Sequence, residues 1–112
     1  MRPRASTAVG LDKGTAVLFM VVERFSPESA KHIYRRVRSG GRSLPEGLRY
    51  VDSWVSADLR GCFQLMECDD IALLQEWVAS WGDLADFEVV PVAPSSITAD
   101  LMARLDSSEP PS

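Results

Sequence analysis

The chain has 112 residues, of which 46% are apolar and 25% charged, and a net charge of -4. That length and apolar content suit one domain with a single core that needs neither a metal nor a disulfide to hold it. The overall acidity opposes binding to a polyanion, and the longest apolar runs, 16–22 and 84–94, are too short to span a bilayer.

The first fourteen residues are polar and aperiodic, and they lack the apolar centre of a secretory signal. Residues 1–15 read as a flexible extension and residues 16–105 as the single domain. A continuous apolar run, Ala16 to Glu23 (AVLFMVVE), has strand length and three valines, as expected of a central strand covered on both faces. Ser26-Pro27-Glu28 then carries the marks of a helix start: a capping hydroxyl, proline at the first turn and an acid against the positive end of the dipole. Ala30, Ile33, Tyr34 and Val37 recur at helical spacing until Gly40-Gly41 stops the run.

After a loop broken by Pro45 and Gly47, two strands are expected over 48–55 and 62–67. The six residues between them, SADLRG, are few enough to force an antiparallel hairpin. Asp69 or Asp70 caps a second helix, with Ile71, Leu74, Trp77, Val78 and Trp81 on one stripe and Gly82 at its end. A valine-rich strand follows over 84–92, with Pro91 and Pro94 confining its end to a sheet edge. A short helix starts at Ser95 or Ser96 and runs through Leu105, and residues 106–112 read as a disordered tail.

The order β-α-β-β-α-β is the split βαβ of ferredoxin-like α+β folds. Right-handed crossovers place both helices on one face of a four-stranded antiparallel sheet in the spatial order 4-1-3-2 and leave the other face bare. Setting Trp54 opposite Cys62 puts Tyr50, Asp52, Trp54, Cys62, Gln64 and Met66 on one side, and Val51, Ser53, Val55, Phe63 and Leu65 on the other. The second set reads as the helix-covered core. The first, half apolar and half polar, is then assigned to the bare face, where a twofold mate would close a two-sheet barrel. A homodimer through the open sheet face is therefore expected.

Charge is unevenly spread. Residues 1–60 hold eleven of the twelve basic side chains against six acids, whereas residues 61–112 hold Arg104 against ten acids. Lys31, Arg35, Arg36, Arg38 and Arg42 form a basic stripe with no aromatic platform between the arginines, so a solvated helix face is preferred to a nucleic-acid surface. Neither nucleic acid nor membrane is expected as a partner. Cys62 and Cys68 share a strand face at a spacing that does not bring their sulfurs into bonding range, and without a Cys-x-x-Cys they suit a reducing cytoplasm. With His32 as the only histidine, a zinc site of ordinary ligand count is not expected.

The segments 17–25 (VLFMVVERF), 34–54 (YRRVRSGGRSLPEGLRYVDSW), 62–70 (CFQLMECDD) and 87–92 (FEVVPV) resemble a family of small uncharacterised bacterial proteins classed as a domain of unknown function. That family is in turn similar to the dimeric α/β-barrel superfamily, and the likeness covers residues 17–95. The superfamily includes cofactor-free quinone-forming monooxygenases, haem-degrading enzymes, muconolactone-type isomerases and ligand-sensing domains, so the fold permits several chemistries. The resemblance implies a pocket inside each protomer, between helices and sheet. It carries over no catalytic residue, because the His and Asn patterns of those enzymes have no match here. Members of the family begin at the strand that holds Val17, so residues 1–16 read as an extension produced by a differently read start.

Five residues stand out as candidates for a ligand site or an interface: Tyr50, Asp52, Trp54, Gln64 and His32. Tyr50 and Trp54 offer large surfaces with polar tips, and serve more often as interface anchors than as stacking platforms. Asp52 and Gln64 form a cross-strand hydrogen bond at the interface or orient a polar ligand. His32, beside Lys31 and Arg35, reads as solvated. Arg49 and Glu67 are expected to face one another as an ion pair, Trp77 and Trp81 to line core or pocket, and Cys62 to be no nucleophile. The favoured function is a non-catalytic, homodimeric small-molecule binding or structural protein that takes a small apolar or aromatic ligand without a cofactor. The alternative is a cofactor-independent monooxygenase or isomerase acting on an aromatic or polyketide-like substrate.

Overall fold

The computed structural model describes residues 16–107. The expectations for residues 1–15 and 108–112 lie outside them. The elements are β1 (Val17–Arg24), α1 (Pro27–Gly40), β2 (Arg49–Val55), β3 (Gly61–Cys68), α2 (Ile71–Trp81), β4 (Asp86–Val92) and α3 (Ser95–Ser107). The ferredoxin-like order is present, and the sheet runs β2-β3-β1-β4 with every pairing antiparallel. Proline-bearing β4 lies at an edge, the part of a sheet where a strand proline is tolerated.

The helix ends follow their local chemistry. Ser26 accepts the Ser29 amide at 3.0 Å, and Pro27 opens α1. Gly41, at φ 71°, ends the helix while its N–H reaches the Val37 carbonyl. Of the two aspartates before α2 it is Asp70 that caps, accepting the Ala72 amide at 3.0 Å. α3 runs two residues past the expected domain end.

Both helices cover one face of the sheet. Leu74, Trp77 and Trp81 of α2, with Ile33 and Val37 of α1, pack over Phe19, Val21, Met66 and Cys68. The opposite face, with Leu18, Met20, Val22, Trp54, Phe63, Leu65, Val90 and Val92, has no helix over it and no buried residue.

The hairpin register corrects the expected faces. Cys62 pairs with Val55, and Trp54 with Phe63, so the turn is one residue tighter on β2 than assumed. Cys62, Gln64 and Met66 therefore face the helices, opposite Glu23, Val21 and Phe19 of β1, and Phe63 and Leu65 face outward. A bulge at Val51 then divides β2: Tyr50 still pairs with Met66, but Asp52 meets Leu65 and Ser53 meets Gln64. One extra residue reverses the alternation for all that follow. Tyr50 and Ser53 consequently lie on the helix side, and Asp52 and Trp54 on the open side. The expected Asp52–Gln64 hydrogen bond does not form, because the two residues are on different faces.

Candidate functional site

A cavity of about 90 Å³ lies between the helices and the sheet, in the place that the sequence resemblance implies. Its walls are mainly apolar: Phe25, Ile33, Val37, Trp77, Trp81 and Phe87, with Tyr34 and Val55 toward the surface. Three polar side chains enter it from different elements. Glu23 comes from the end of β1, Gln64 from the middle of β3 and Arg42 from the loop after α1.

The three form a chain. Arg42 Nε donates to Gln64 Oε1 at 2.8 Å, and Gln64 Nε2 donates to Glu23 Oε2 at 2.5 Å. Glu23 and Gln64 are only 7% and 5% exposed, and the Gln64 amide, held at its oxygen by Arg42, orients one carboxylate oxygen of Glu23. The guanidinium of Arg42 also lies over the Tyr50 ring, 3.8 Å from its centroid. Tyr50 in turn shares a 2.7 Å hydrogen bond with Ser53 across the bulge.

Backbone geometry explains how Arg42 is aimed. It sits between Gly41 at φ 71° and Ser43 at φ 58°, two left-handed residues that turn the chain back toward the sheet. Its carbonyl then receives both indoles of α2, Trp77 Nε1 at 2.8 Å and Trp81 Nε1 at 3.2 Å. The i, i+4 spacing of the tryptophans brings both donors to a single oxygen with two lone pairs. Trp81 is flanked outside by Arg36, whose guanidinium stacks on its ring and pairs with Asp83 at 2.9 Å.

Burial sets the electrostatics. The Glu23 carboxyl is pushed up to about 6 by loss of hydration, against a smaller opposing pull from the Gln64 hydrogen bond and the Arg42 charge. The Cys62 thiol, opposite Glu23 on β3, is pushed up to about 11, by burial first and the nearby carboxylate second. A thiol held this far from thiolate is a poor nucleophile, as the sequence suggested. Tyr34 is raised in the same way, by burial and then by Cys62 and Glu23. Glu23 is thus the group in the cavity that exchanges a proton near neutrality.

Of the five candidates, the structure brings Gln64 into the cavity wall and Tyr50 beneath Arg42. Asp52 is exposed and accepts the Ser53 amide at 2.8 Å, while Trp54 stands 52% exposed on the open face. His32 lies on the surface of α1, 3.4 Å from Arg35. The expected Arg49–Glu67 pair forms at 2.9 Å, and Trp77 and Trp81 are buried in the cavity wall. Sequence reasoning passed over Glu23 and Arg42. The signal for Glu23 was present, since Phe19, Val21 and Glu23 fall on one strand face and an acid there shares the side of a buried valine. Arg42 had no such signal, because its direction depends on two loop dihedrals. Among the described residues no three of His, Cys, Asp and Glu gather into a metal site, and no helix is long and apolar enough to cross a membrane.

Comparison with known proteins gives one family. The model described as a domain of unknown function (DUF3303) matches residues 17–106. A comparison with curated proteins finds no match. Among solved structures the chain is similar to one described as a "putative antibiotic biosynthesis monooxygenase from Deinococcus radiodurans", at 15% identity and a TM-score of 0.43, over 70% of this chain and 91% of that one.

Proposed function

The chain belongs to the DUF3303 family, and from that premise we propose that it is a small-molecule binding protein whose ligand enters the cavity between helices and sheet and meets Glu23. The observation that carries this reading is the Arg42–Gln64–Glu23 chain, buried at Gln64 and Glu23, that meets an apolar cavity. A core built for stability alone gains little from three linked polar groups, since an apolar replacement of similar volume is commonly as stable. Apolar walls around a few convergent polar groups are the usual form of a ligand site. The working unit is a homodimer closed through the open sheet face, with Trp54 and Phe63 at the contact.

A screen of small apolar molecules by thermal shift tests the reading. A binder at a hundred times its Kd adds about 2.7 kcal/mol, worth several degrees in a domain of this size. Cys62→Leu fills the cavity from its β3 wall and is expected to abolish the shift; a shift that persists in this variant places the ligand elsewhere.

Glu23 also supports a second reading. A carboxylate that titrates at about 6 in a low-dielectric cavity is matched to proton abstraction near neutral pH. An isomerase or cofactor-independent oxygenase would use it as general base. The volume of about 90 Å³ favours a small substrate over a polycyclic one, being below the several hundred Å³ of drug-sized pockets.

A further inference from the structure

We propose that the molecule taken by this cavity is a carboxylate, its charged end read by the guanidinium of Arg42 and its apolar body held between aromatic walls. The inference rests on the cavity being a ligand site. Arg42 spends Nε on Gln64 and its flat face on Tyr50. Its two terminal NH2 groups have no hydrogen-bond partner among the described residues, yet the side chain is half-buried and lines the cavity. A guanidinium fixed by stacking, with its outer fork free, matches the two oxygens of a carboxylate in one plane.

The approach to the cavity has the same sign. A second depression, about 460 Å³ and floored by apolar atoms, runs along α1 and shares Phe25, Tyr34 and Val55 with the cavity. Lys31, Arg35 and Arg38 stand around it. The basic stripe of α1 thus surrounds an apolar groove that adjoins the site, an arrangement that attracts anions with an apolar body. The inner cavity is smaller than the ~150 Å³ that encloses a benzene ring, so the body of the ligand extends from the cavity across Tyr34 into the groove.

Glu23 makes the binding depend on protons. The groups facing it are Arg42 from the loop, Cys62 and Gln64 from β3, and Tyr34 from α1. An arriving carboxylate adds a negative charge to this set, and Glu23 answers by taking one proton from solvent, leaving the site with the same net charge. The protonated carboxyl then has an O–H to give to the ligand.

Calorimetry with benzoate and its neutral counterpart benzyl alcohol tests this, at pH 6 to 8 and in buffers of different ionisation heat. Benzoate is expected to bind with uptake of close to one proton at pH 7, its affinity falling by about tenfold per pH unit above 6. Glu23→Gln should remove that slope. Arg42→Gln should weaken benzoate by about tenfold or more while leaving benzyl alcohol within about twofold, because the Trp77 and Trp81 indoles are held by the backbone carbonyl and not by the side chain. Benzyl alcohol binding more tightly than benzoate at pH 6, or benzoate indifferent to Arg42→Gln, overturns the carboxylate and leaves the cavity as a ligand site. Benzoate binding without proton uptake overturns the role of Glu23. If neither probe binds, the cavity reading falls together with the inference.

Discussion

Glu23 carries a cost that a purely structural residue would not need to carry. Its carboxyl titrates at about 6 in the folded chain against 4.5 for the ordinary group. The folded state therefore holds the proton more tightly, so the contribution of Glu23 to stability is most favourable below about pH 4.5 and declines as pH rises through the window to about 6. Above that window the loss is constant at about 2 kcal/mol. Glu23→Gln keeps the size and the hydrogen bond from Gln64, and is expected to raise stability at pH 7 to 8 by up to that amount, with no gain at pH 4. Urea denaturation at the two pH values measures it, and an equal effect at both would remove the titration of Glu23 as the cause. The tryptophans lie at the same scale. Trp77→Phe keeps a six-membered ring but deletes the pyrrole half with its hydrogen bond to Arg42, at a cost of about 1–3 kcal/mol, whereas Trp77→Ala opens the core and costs about 3–5 kcal/mol.

Among the elements, β2 decides which residues the site can use. Its bulge moves Ser53 to the cavity side and Asp52 and Trp54 to the other, and the change comes from the single residue Val51. Deletion of Val51 leaves Tyr50 opposite Met66 and Asp52 opposite Leu65 as successive pairs of a regular ladder. Every later residue keeps its face. The shortened chain is expected to fold with a loss of no more than about 2–3 kcal/mol, with the response of Trp54 to a fluorescence quencher unchanged from that of the parent chain at the same concentration. A changed response with the same sedimenting mass would show that the register had slipped instead. The helices behave more simply, and their caps were legible because capping is local: Ser26 with Pro27, and Asp70 three residues before Leu73, need no tertiary partner.

For the whole molecule, the contrast between the two sheet faces is the leading fact. The uncovered face is apolar at its centre, with Trp54, Phe63 and Val90 exposed, and is bordered by the ion pairs Arg24–Glu88 and Arg49–Glu67. An apolar centre with a charged rim is the pattern of a protein interface, and a patch of that kind is costly to leave in water. Sedimentation at micromolar concentration is expected to give twice the chain mass. Trp54→Glu should shift the species toward monomer without altering the cavity on the other side; an unchanged dimer would move the interface elsewhere. That mutation separates the two proposals, since the cavity proposed to bind a ligand lies on one face and the proposed contact between copies on the other.

Alternation of strands and helices, apolar periodicity and local capping determined the ferredoxin-like order, the sheet topology and the place of Trp77 and Trp81, because these depend on residues near one another in the chain. Side-chain chemistry likewise made the Arg49–Glu67 pair readable from the hairpin. Faces were another matter. A strand has a period of two, so a turn one residue tighter and a single bulge broke up the expected faces: Ser53, Val55, Asp52 and Trp54 keep their expected sides, whereas Tyr50 and the alternating residues of β3 lie on the opposite ones. Only the tertiary structure joined Glu23, Gln64 and Arg42, which are separated by up to 41 residues and meet through strand register and two left-handed loop residues. Their convergence on one cavity is a property of the folded chain, because nothing local to any of the three residues requires it.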